Sequence, residues 1–148
     1  LVLFQYVEKH GKILHELIGD TLDPYTRKLF FVYGGTDTKD RETVRSITEN
    51  ENNAIIVASY GTFSTGINIR NLHNVIFASP TKSKIRILQS LGRGLRLGDN
   101  KVKATLYDIA DDFSYKEQRN FTLNHFMERV NVYSEQEFDY ELHHIDIR

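Results

Sequence analysis

The chain of 148 residues contains no cysteine, so it has no disulfide framework, no thiolate nucleophile and no cysteine-ligated zinc site. That composition is compatible with a reducing, intracellular setting. Long apolar runs are missing too. The longest, Leu29 to Tyr33 and Ala54 to Ala58, have about five residues, against the ~20 that a membrane helix needs. The opening Leu1 to Phe4, followed by Gln5, has neither the basic flank nor the length of a signal peptide. No Gly-x-x-x-x-Gly-Lys-Ser/Thr phosphate loop occurs, and no Gly-x-Gly-x-x-Gly opens a helix. No Asp-Glu pair follows a buried strand to hold magnesium, and no Gly-x-Ser-x-Gly elbow supports hydrolase chemistry. Internal repeats and low-complexity stretches are absent as well.

What remains is an ordinary globular composition. Hydrophobic residues make up 40% and charged residues 26%, which fits one domain with a substantial core rather than a disordered tail. The net charge is −1, so the chain is no polycation. Its charge is unevenly spread, however. Lys82 to Lys103 holds seven basic residues against one acid, Asp99, whereas Glu135 to Asp146 holds five acids and no Lys or Arg. A local basic stretch can attract phosphate without making the whole chain basic; a solvated helix face explains it equally well.

Strand and helix patterns alternate along the chain. Leu1 to Val7 reads as a strand with no polar lead-in, which leads to the expectation of a back part of a longer protein. Ile13, Leu14, Leu17 and Ile18 recur at helical spacing and predict an amphipathic helix over Glu8 to Gly19. Asp23-Pro24 marks a turn, and Leu29 to Tyr33 a buried strand that ends at Gly34-Gly35. Asp37 or Thr38 caps a helix with Asp40 and Glu42 in its first turn and Val44 and Ile47 facing inward. Ala54 to Ala58 and Val75 to Ala78 read as further buried strands, the second stopped by Pro80. A helix over Ser83 to Arg96, a strand over Ala104 to Ala110, a docking helix over Lys116 to Val130 and a last strand over Phe138 to Ile147 complete the pattern. Leu123, Phe126, Met127 and Val130 supply the docking stripe. Such alternation predicts one α/β domain, a parallel sheet with helices on both faces.

In a sheet of this kind ligands bind at the carboxyl ends of the strands. One of those ends, Ser59 to Asn68, is rich in Gly, Ser, Thr and Asn and reads as a polar loop, able to bring hydroxyls and backbone N–H groups to phosphate or ribose oxygens. It also reads simply as a turn into the next strand. The helix after Pro80 is more telling. At roughly 100° per residue, Arg86, Gln89, Arg93 and Arg96 fall within about an 80° arc, while Ile87, Leu88, Leu91 and Leu95 form a separate apolar face. Two guanidiniums converging on one point repel unless an anion lies between them, and their planar forks suit phosphate. Gln89 offers a donor and an acceptor to a ribose or an attacking water. With no phosphate loop of its own, the chain would contact a nucleotide from one side.

These residues carry a resemblance. Gln89-Ser90-Leu91-Gly92-Arg93-Gly94-Leu95-Arg96 resembles motif VI of the superfamily 2 helicases, Gln-x-x-Gly-Arg-x-x-Arg. Ser64-Thr65-Gly66-Ile67-Asn68 resembles the end of motif V, and Phe4-Gln5-Tyr6-Val7-Glu8-Lys9-His10 resembles motif IV. Tyr33-Gly34-Gly35-Thr36, followed by Arg41, is similar to motif IVa. The four stand in family order between Leu1 and Ala110.

The resemblance implies a RecA-like fold over residues 1–148, the second lobe of a DNA helicase of recombination and replication-fork repair, with the N-terminal ATP-binding lobe elsewhere. Arg93 and Arg96 would act as arginine fingers on the γ-phosphate of ATP, and Gln89 would lie near the nucleotide or the water. Gly66 and Asn68 would approach the ribose; many relatives have Asp where this chain has Asn68, whose neutral amide can still bond a hydroxyl. Gly35, Arg41, Ser59 and Thr62 would meet the backbone of branched or single-stranded DNA. The implied partners are DNA and the N-terminal lobe, which would hold Mg2+; a membrane is not among them, and the implied setting is cytoplasmic.

Other constellations carry less. His10 reads as a packed or capping histidine, and with His15 it shares no helix face. His143 and His144 point to opposite sides of any strand, so no metal site is expected. Asp108, Asp111 and Asp112 read as a loop after a strand. Two alternatives to the motor lobe remain: a non-catalytic nucleic-acid-binding domain, and an α/β interaction module whose basic helix is merely solvated.

Overall fold

A computed structural model of the chain describes residues 1–23, 25–66, 69, 71–79, 81, 83, 104–114 and 120–147. Five parallel strands form one sheet in the order β2-β3-β1-β4-β5. The strands are β1 (Val2–Phe4), β2 (Lys28–Val32), β3 (Ala54–Ser59), β4 (Asn74–Phe77) and β5 (Thr105–Asp108). Parallel neighbours cannot be joined by a tight hairpin and need crossovers. Here α1 (Lys12–Thr21) links β1 to β2, α2 (Thr38–Asn50) links β2 to β3, and α3 (Tyr60–Gly66) follows β3 directly. A last helix, α4 (Phe121–Glu135), follows β5.

The shortest strand is the central one. Leu3 of β1 pairs with Ala58 of β3 on one side and Phe77 of β4 on the other. Period-two alternation then divides β1 between two cores. Leu3 points to the face covered by Tyr60 and Phe63 of α3, Val132 and Tyr133 of α4, and Val44 of α2. Val2 and Phe4 point to the other face, where Leu14 and Ile18 of α1 pack. Both faces are covered, as the sequence pattern predicts.

Several elements differ from expectation for identifiable reasons. The first helix begins as a π turn over Val7–Gly11, in which the His10 and Gly11 N–H groups both donate to the Tyr6 carbonyl at 3.2 and 2.9 Å. Of the four apolar positions on this helix, Leu14 and Ile18 pack whereas Ile13 and Leu17 stay exposed. The polar stretch after β3 is a helix, not a loop: the Ser59 hydroxyl accepts the Thr62 N–H at 3.3 Å and caps it, while Tyr60 and Phe63 bury one face.

In α4 the buried stripe is Arg129, Val130, Val132 and Tyr133, and Met127 is exposed. Leu123 and Phe126 of the expected stripe are half-buried and Val130 is buried, while Arg129 beside them is a residue that an apolar count passes over. Asn120 caps α4 by accepting the Leu123 N–H at 3.2 Å, four residues after the expected start at Lys116, which lies outside the described residues. At the other end Glu137 adopts φ 56°, in the left-handed region, and the Phe138 N–H returns to the Tyr133 carbonyl at 3.0 Å. The residues from Phe138 to Ile147 form no strand; Leu142, Ile145 and Ile147 are exposed. Alternation alone does not make a strand without a neighbouring edge to complete its ladder. The expected helix over Ser83 to Arg96 lies almost wholly outside the described residues.

Gly11 is fixed by close approach. A Cβ there would lie 2.4 Å from the buried ring of Phe4. Gly11→Ala is therefore expected to destabilise the chain by about 1–3 kcal/mol, the usual cost of overpacking. Urea denaturation measures this; unchanged stability would mean that the π turn is not held against β1.

Candidate nucleotide and nucleic-acid interface

The carboxyl ends of the five strands line one edge of the sheet, and the order of the chain reverses about β1 there. At the end of β2 the chain makes a tight turn. The Thr36 N–H donates to the Tyr33 carbonyl at 2.9 Å, and the Tyr33 N–H donates to the Thr36 hydroxyl at 3.0 Å. Arg41, from the first turns of α2, braces that turn: its Nε donates to the Thr36 carbonyl at 2.8 Å and its Nη2 to the Gly34 carbonyl at 3.3 Å. Asp37 caps α2 by accepting the Lys39 N–H at 2.7 Å. Gly34 and Gly35 are left exposed at the tip, and a Cβ on Gly35 would lie 2.6 Å from the Tyr33 ring.

The end of β3 lies next to that of β2, with Ala58 opposite Val32. Ser59 and Thr62 are both buried there, their hydroxyls 2.8 Å apart. In this arrangement the pair caps α3. Gly66 is the last residue of α3. Asn68, Gln89, Arg93 and Arg96 lie outside the described residues. So the structure brings Gly35 and Arg41 together on one turn, and Ser59 and Thr62 together on the neighbouring one.

Three further groups on this edge are not among the candidate site residues, although His10 reads from the sequence as a packed or capping histidine. His10 Nδ1 lies 2.6 Å from the Ser79 hydroxyl, which also accepts the Gln5 N–H at 3.2 Å. Histidine thus holds the π turn to the end of β4. The Tyr60 phenol donates to the Ser79 carbonyl at 3.1 Å, and burial pushes its pKa up, so it stays a neutral donor.

The third group is centred on Arg129, which is wholly buried. Its Nε and Nη2 reach the two carboxylate oxygens of Asp108 at 2.7 Å each, and its Nη1 donates to the Thr81 carbonyl at 3.0 Å. Tyr133 donates to the same carboxylate at 2.7 Å. Burial disfavours the Arg129 charge, yet the hydrogen-bonded Asp108 outweighs it and holds the guanidinium above its ordinary pKa. Burial, and then the neighbouring Asp108 charge, raises the Tyr133 phenol. Asp108 therefore ends β5 rather than sitting in a loop, and its carboxylate is engaged on both oxygens. Among the described residues no group of three or more His, Asp or Glu is placed to hold a metal ion. Nor is any helix among them long and apolar enough to cross a membrane.

Removing one partner of a buried ion pair leaves an uncompensated charge, at a cost of about 3–5 kcal/mol. Asp108→Ala should lower stability by that order, whereas Asp111→Ala, at an exposed position, should change it little. Thermal and urea unfolding of both variants make the comparison, and equal effects would mean that Arg129 finds another partner.

Known proteins share both the sequence and the fold. The family described as the helicase conserved C-terminal domain matches residues 1–98, a span that includes the Gln89 to Arg96 motif. An ATP-dependent DNA helicase, uvsW, of Enterobacteria phage T4 is 36% identical over 156 residues, covering 99% of this chain and 30% of that protein. The putative ATP-dependent helicase IRC3 of Saccharomyces cerevisiae is 29% identical over 109 residues, covering 73% of this chain and 15% of that protein. The chain thus spans a third or less of the length of either relative. Among solved structures, the C-terminal part of the Fun30 ATPase domain superposes with a TM-score of 0.61 at 16% identity, over 90% of this chain and 47% of that one. The Type ISP restriction-modification enzyme LlaBIII, bound to DNA, gives 0.62 at 20% identity, over 90% of this chain and 10% of that one. These two likenesses concern the fold, a RecA-like parallel sheet. The sequence match over residues 1–98 assigns the family: the chain belongs to the helicase conserved C-terminal domain family.

Proposed function

We propose that the chain is the second motor lobe of an ATP-dependent DNA helicase or translocase acting on branched DNA in recombination, repair and replication-fork processing. The observation that carries this reading is the Gln89 to Arg96 motif, set between β4 and β5 of a parallel sheet, inside the family match. The T4 relative, itself an ATP-dependent DNA helicase, supports it.

The chemistry divides between two lobes. ATP and its Mg2+, when bound, would supply the phosphoryl group and the charge neutralisation; among the described residues of this lobe no cluster of carboxylates or histidines fits a magnesium site. Asp108 is engaged by Arg129 and Tyr133, and Asp112 by the Ser114 N–H and Asn120. The metal would therefore be held by the N-terminal lobe. Arg93 and Arg96 present planar donors to the γ-phosphate oxygens, where charge builds in the transition state. Gln89 orients the water or the nucleotide, and Gly66 and Asn68 approach the ribose.

The DNA backbone is met at the exposed Gly34-Gly35 turn. Arg41 shapes that turn while retaining further N–H groups to donate. Ser59 and Thr62 are buried in the α3 cap, so they would act on DNA by setting the position of α3 and its backbone.

In the full-length protein, Arg93→Ala and Arg96→Ala should each cut DNA-stimulated ATP hydrolysis by roughly 10³-fold or more, the range of arginine fingers in related phosphoryl transfer. Lys at either position should rescue poorly, and Arg86→Ala should matter less. The chain alone should show no ATPase activity. Steady-state ATPase assays, with melting curves and DNA titrations, decide the point. ATPase that survives while DNA binding collapses would make the arginines nucleic-acid ligands, as in a non-catalytic binding domain.

A second expectation concerns DNA. Two or three phosphate contacts from one lobe give weak single-strand binding with a log–log salt slope of roughly −0.7 per contact. Titration of the chain with single-stranded DNA at two salt concentrations measures it. Tight, salt-insensitive binding would point instead to base stacking.

A further inference from the structure

Three side chains from three different elements converge on the short corner where the chain leaves β4. His10 of the π turn and Tyr60 of α3 hold Ser79 through its hydroxyl and its carbonyl. Arg129 of α4 holds the Thr81 carbonyl. Both Ser79 and Thr81 are buried, and the Thr81 hydroxyl accepts the Ser83 N–H at 3.4 Å. The stretch that follows in sequence carries Gln89, Arg93 and Arg96. Its return is fixed separately, by β5 in register with β4 from Thr105 opposite Asn74 to Asp108 opposite Phe77.

We propose that Arg129 is a positioning residue for the arginine-bearing segment, fixing the Ser79–Thr81 corner from which that segment departs relative to the carboxyl end of β5. The inference rests on the reading of Arg93 and Arg96 as arginine fingers and deepens it. Docking α4 on the sheet does not call for a guanidinium. Val130, Val132 and the ring of Tyr133 already supply apolar contact, and replacing a buried ion pair with packed apolar groups is often neutral or stabilising. What an apolar side chain cannot supply is direction. The planar fork of Arg129 binds both oxygens of Asp108 with one edge and aims Nη1 at the Thr81 carbonyl. One rigid group thereby ties β5, α4 and the corner after β4 together. A misplacement of the order of 1 Å at a reacting group can cost about 10²-fold in rate, so slack at this corner would reach kcat through the arginines.

The test compares three variants in the full-length protein, assayed well below their melting temperatures and scaled to the folded fraction. Arg129→Lys keeps a charge beside Asp108 but loses the fork that spans to Thr81. Ser79→Ala releases the hydroxyl contact with His10 while changing little volume. Val132→Ala, on the same helix, weakens the core and removes no hydrogen bond to Thr81 or Asp108, since a valine side chain makes none. The expected result is a kcat for DNA-stimulated ATP hydrolysis at least 10-fold lower in Arg129→Lys and about 3-fold lower in Ser79→Ala, with KM for ATP and affinity for single-stranded DNA unchanged. Val132→Ala should melt lower and keep kcat.

Losses of kcat that follow melting temperature across all three variants would overturn the proposal and make Arg129 purely structural. Unchanged kcat in Arg129→Lys would overturn it as well. If Arg129→Lys does not fold, Ser79→Ala decides alone: a 3-fold drop supports the proposal and an unchanged kcat overturns it. Arg93→Ala assayed alongside keeps the two readings apart. Full ATPase in Arg93→Ala removes the arginine-finger reading itself, whereas its loss together with a normal Arg129→Lys removes only the positioning role.

Discussion

The rest of the molecule depends on a three-residue strand. Val2 and Leu3 are paired on both edges, Phe4 is paired with β3, and all three are buried. With so few residues, β1 cannot hold its place by its own ladder. It is fixed by what surrounds it: the ring of Phe4 lies under Gly11 and stacks on Phe31 at 5.5 Å, and Leu3 enters the core shared with α3 and α4. Burial on both sides requires crossovers on both sides. Those crossovers in turn deliver the Gly34-Gly35 turn, the start of α3 and Ser79 to one edge of the sheet.

That frame was legible in the sequence because its signals are local and strong. The apolar runs at Leu29 to Tyr33 and Ala54 to Ala58 are too short for helices and too continuous for a half-exposed strand. An N-cap at Asp37 or Thr38 follows from residue type and position, and the Lys39 N–H selects Asp37. The motifs carried the family for a different reason: each is a contiguous run of residue types at fixed spacing, so it is read without knowing the fold. The sequence pattern could not reveal interactions between distant positions. Asp108 and Arg129 are 21 residues apart and His10 and Ser79 are 69 apart, and neither pair has a periodicity. Nor does an apolar count find Arg129, a charged residue on the inner face of α4.

Ser59 and Thr62 show why residue type alone does not assign a role. Hydroxyls at the carboxyl end of a parallel strand suit a phosphate, and they suit a helix cap equally well. Here the geometry commits both to the cap, with the Oγ atoms 2.8 Å apart and little solvent access. Gly34 and Gly35 differ. They are exposed, they lie on a turn braced from behind by Arg41, and their lack of side chains leaves backbone groups open to approach. The edge of the sheet thus has a buried polar layer that sets backbone positions and an exposed layer that can meet a ligand.

The buried layer also bears on how a chain with a net charge of −1 would meet the two anionic ligands proposed for it. Its long-range field attracts neither nucleotide nor DNA, so contacts must come from groups placed at short range. Placement of that kind requires stiffness beneath the surface. A guanidinium fixed by three hydrogen bonds, two to Asp108 and one to Thr81, or a neutral phenol held by burial, cannot shift by half a turn without leaving a polar group unpaired in a low-dielectric interior. Such contacts resist small displacements more steeply than apolar packing does. The polar groups that cost the fold most to bury therefore gather at Ser79, Thr81 and Asp108, the described residues that flank in sequence the stretch on which the proposed chemistry depends.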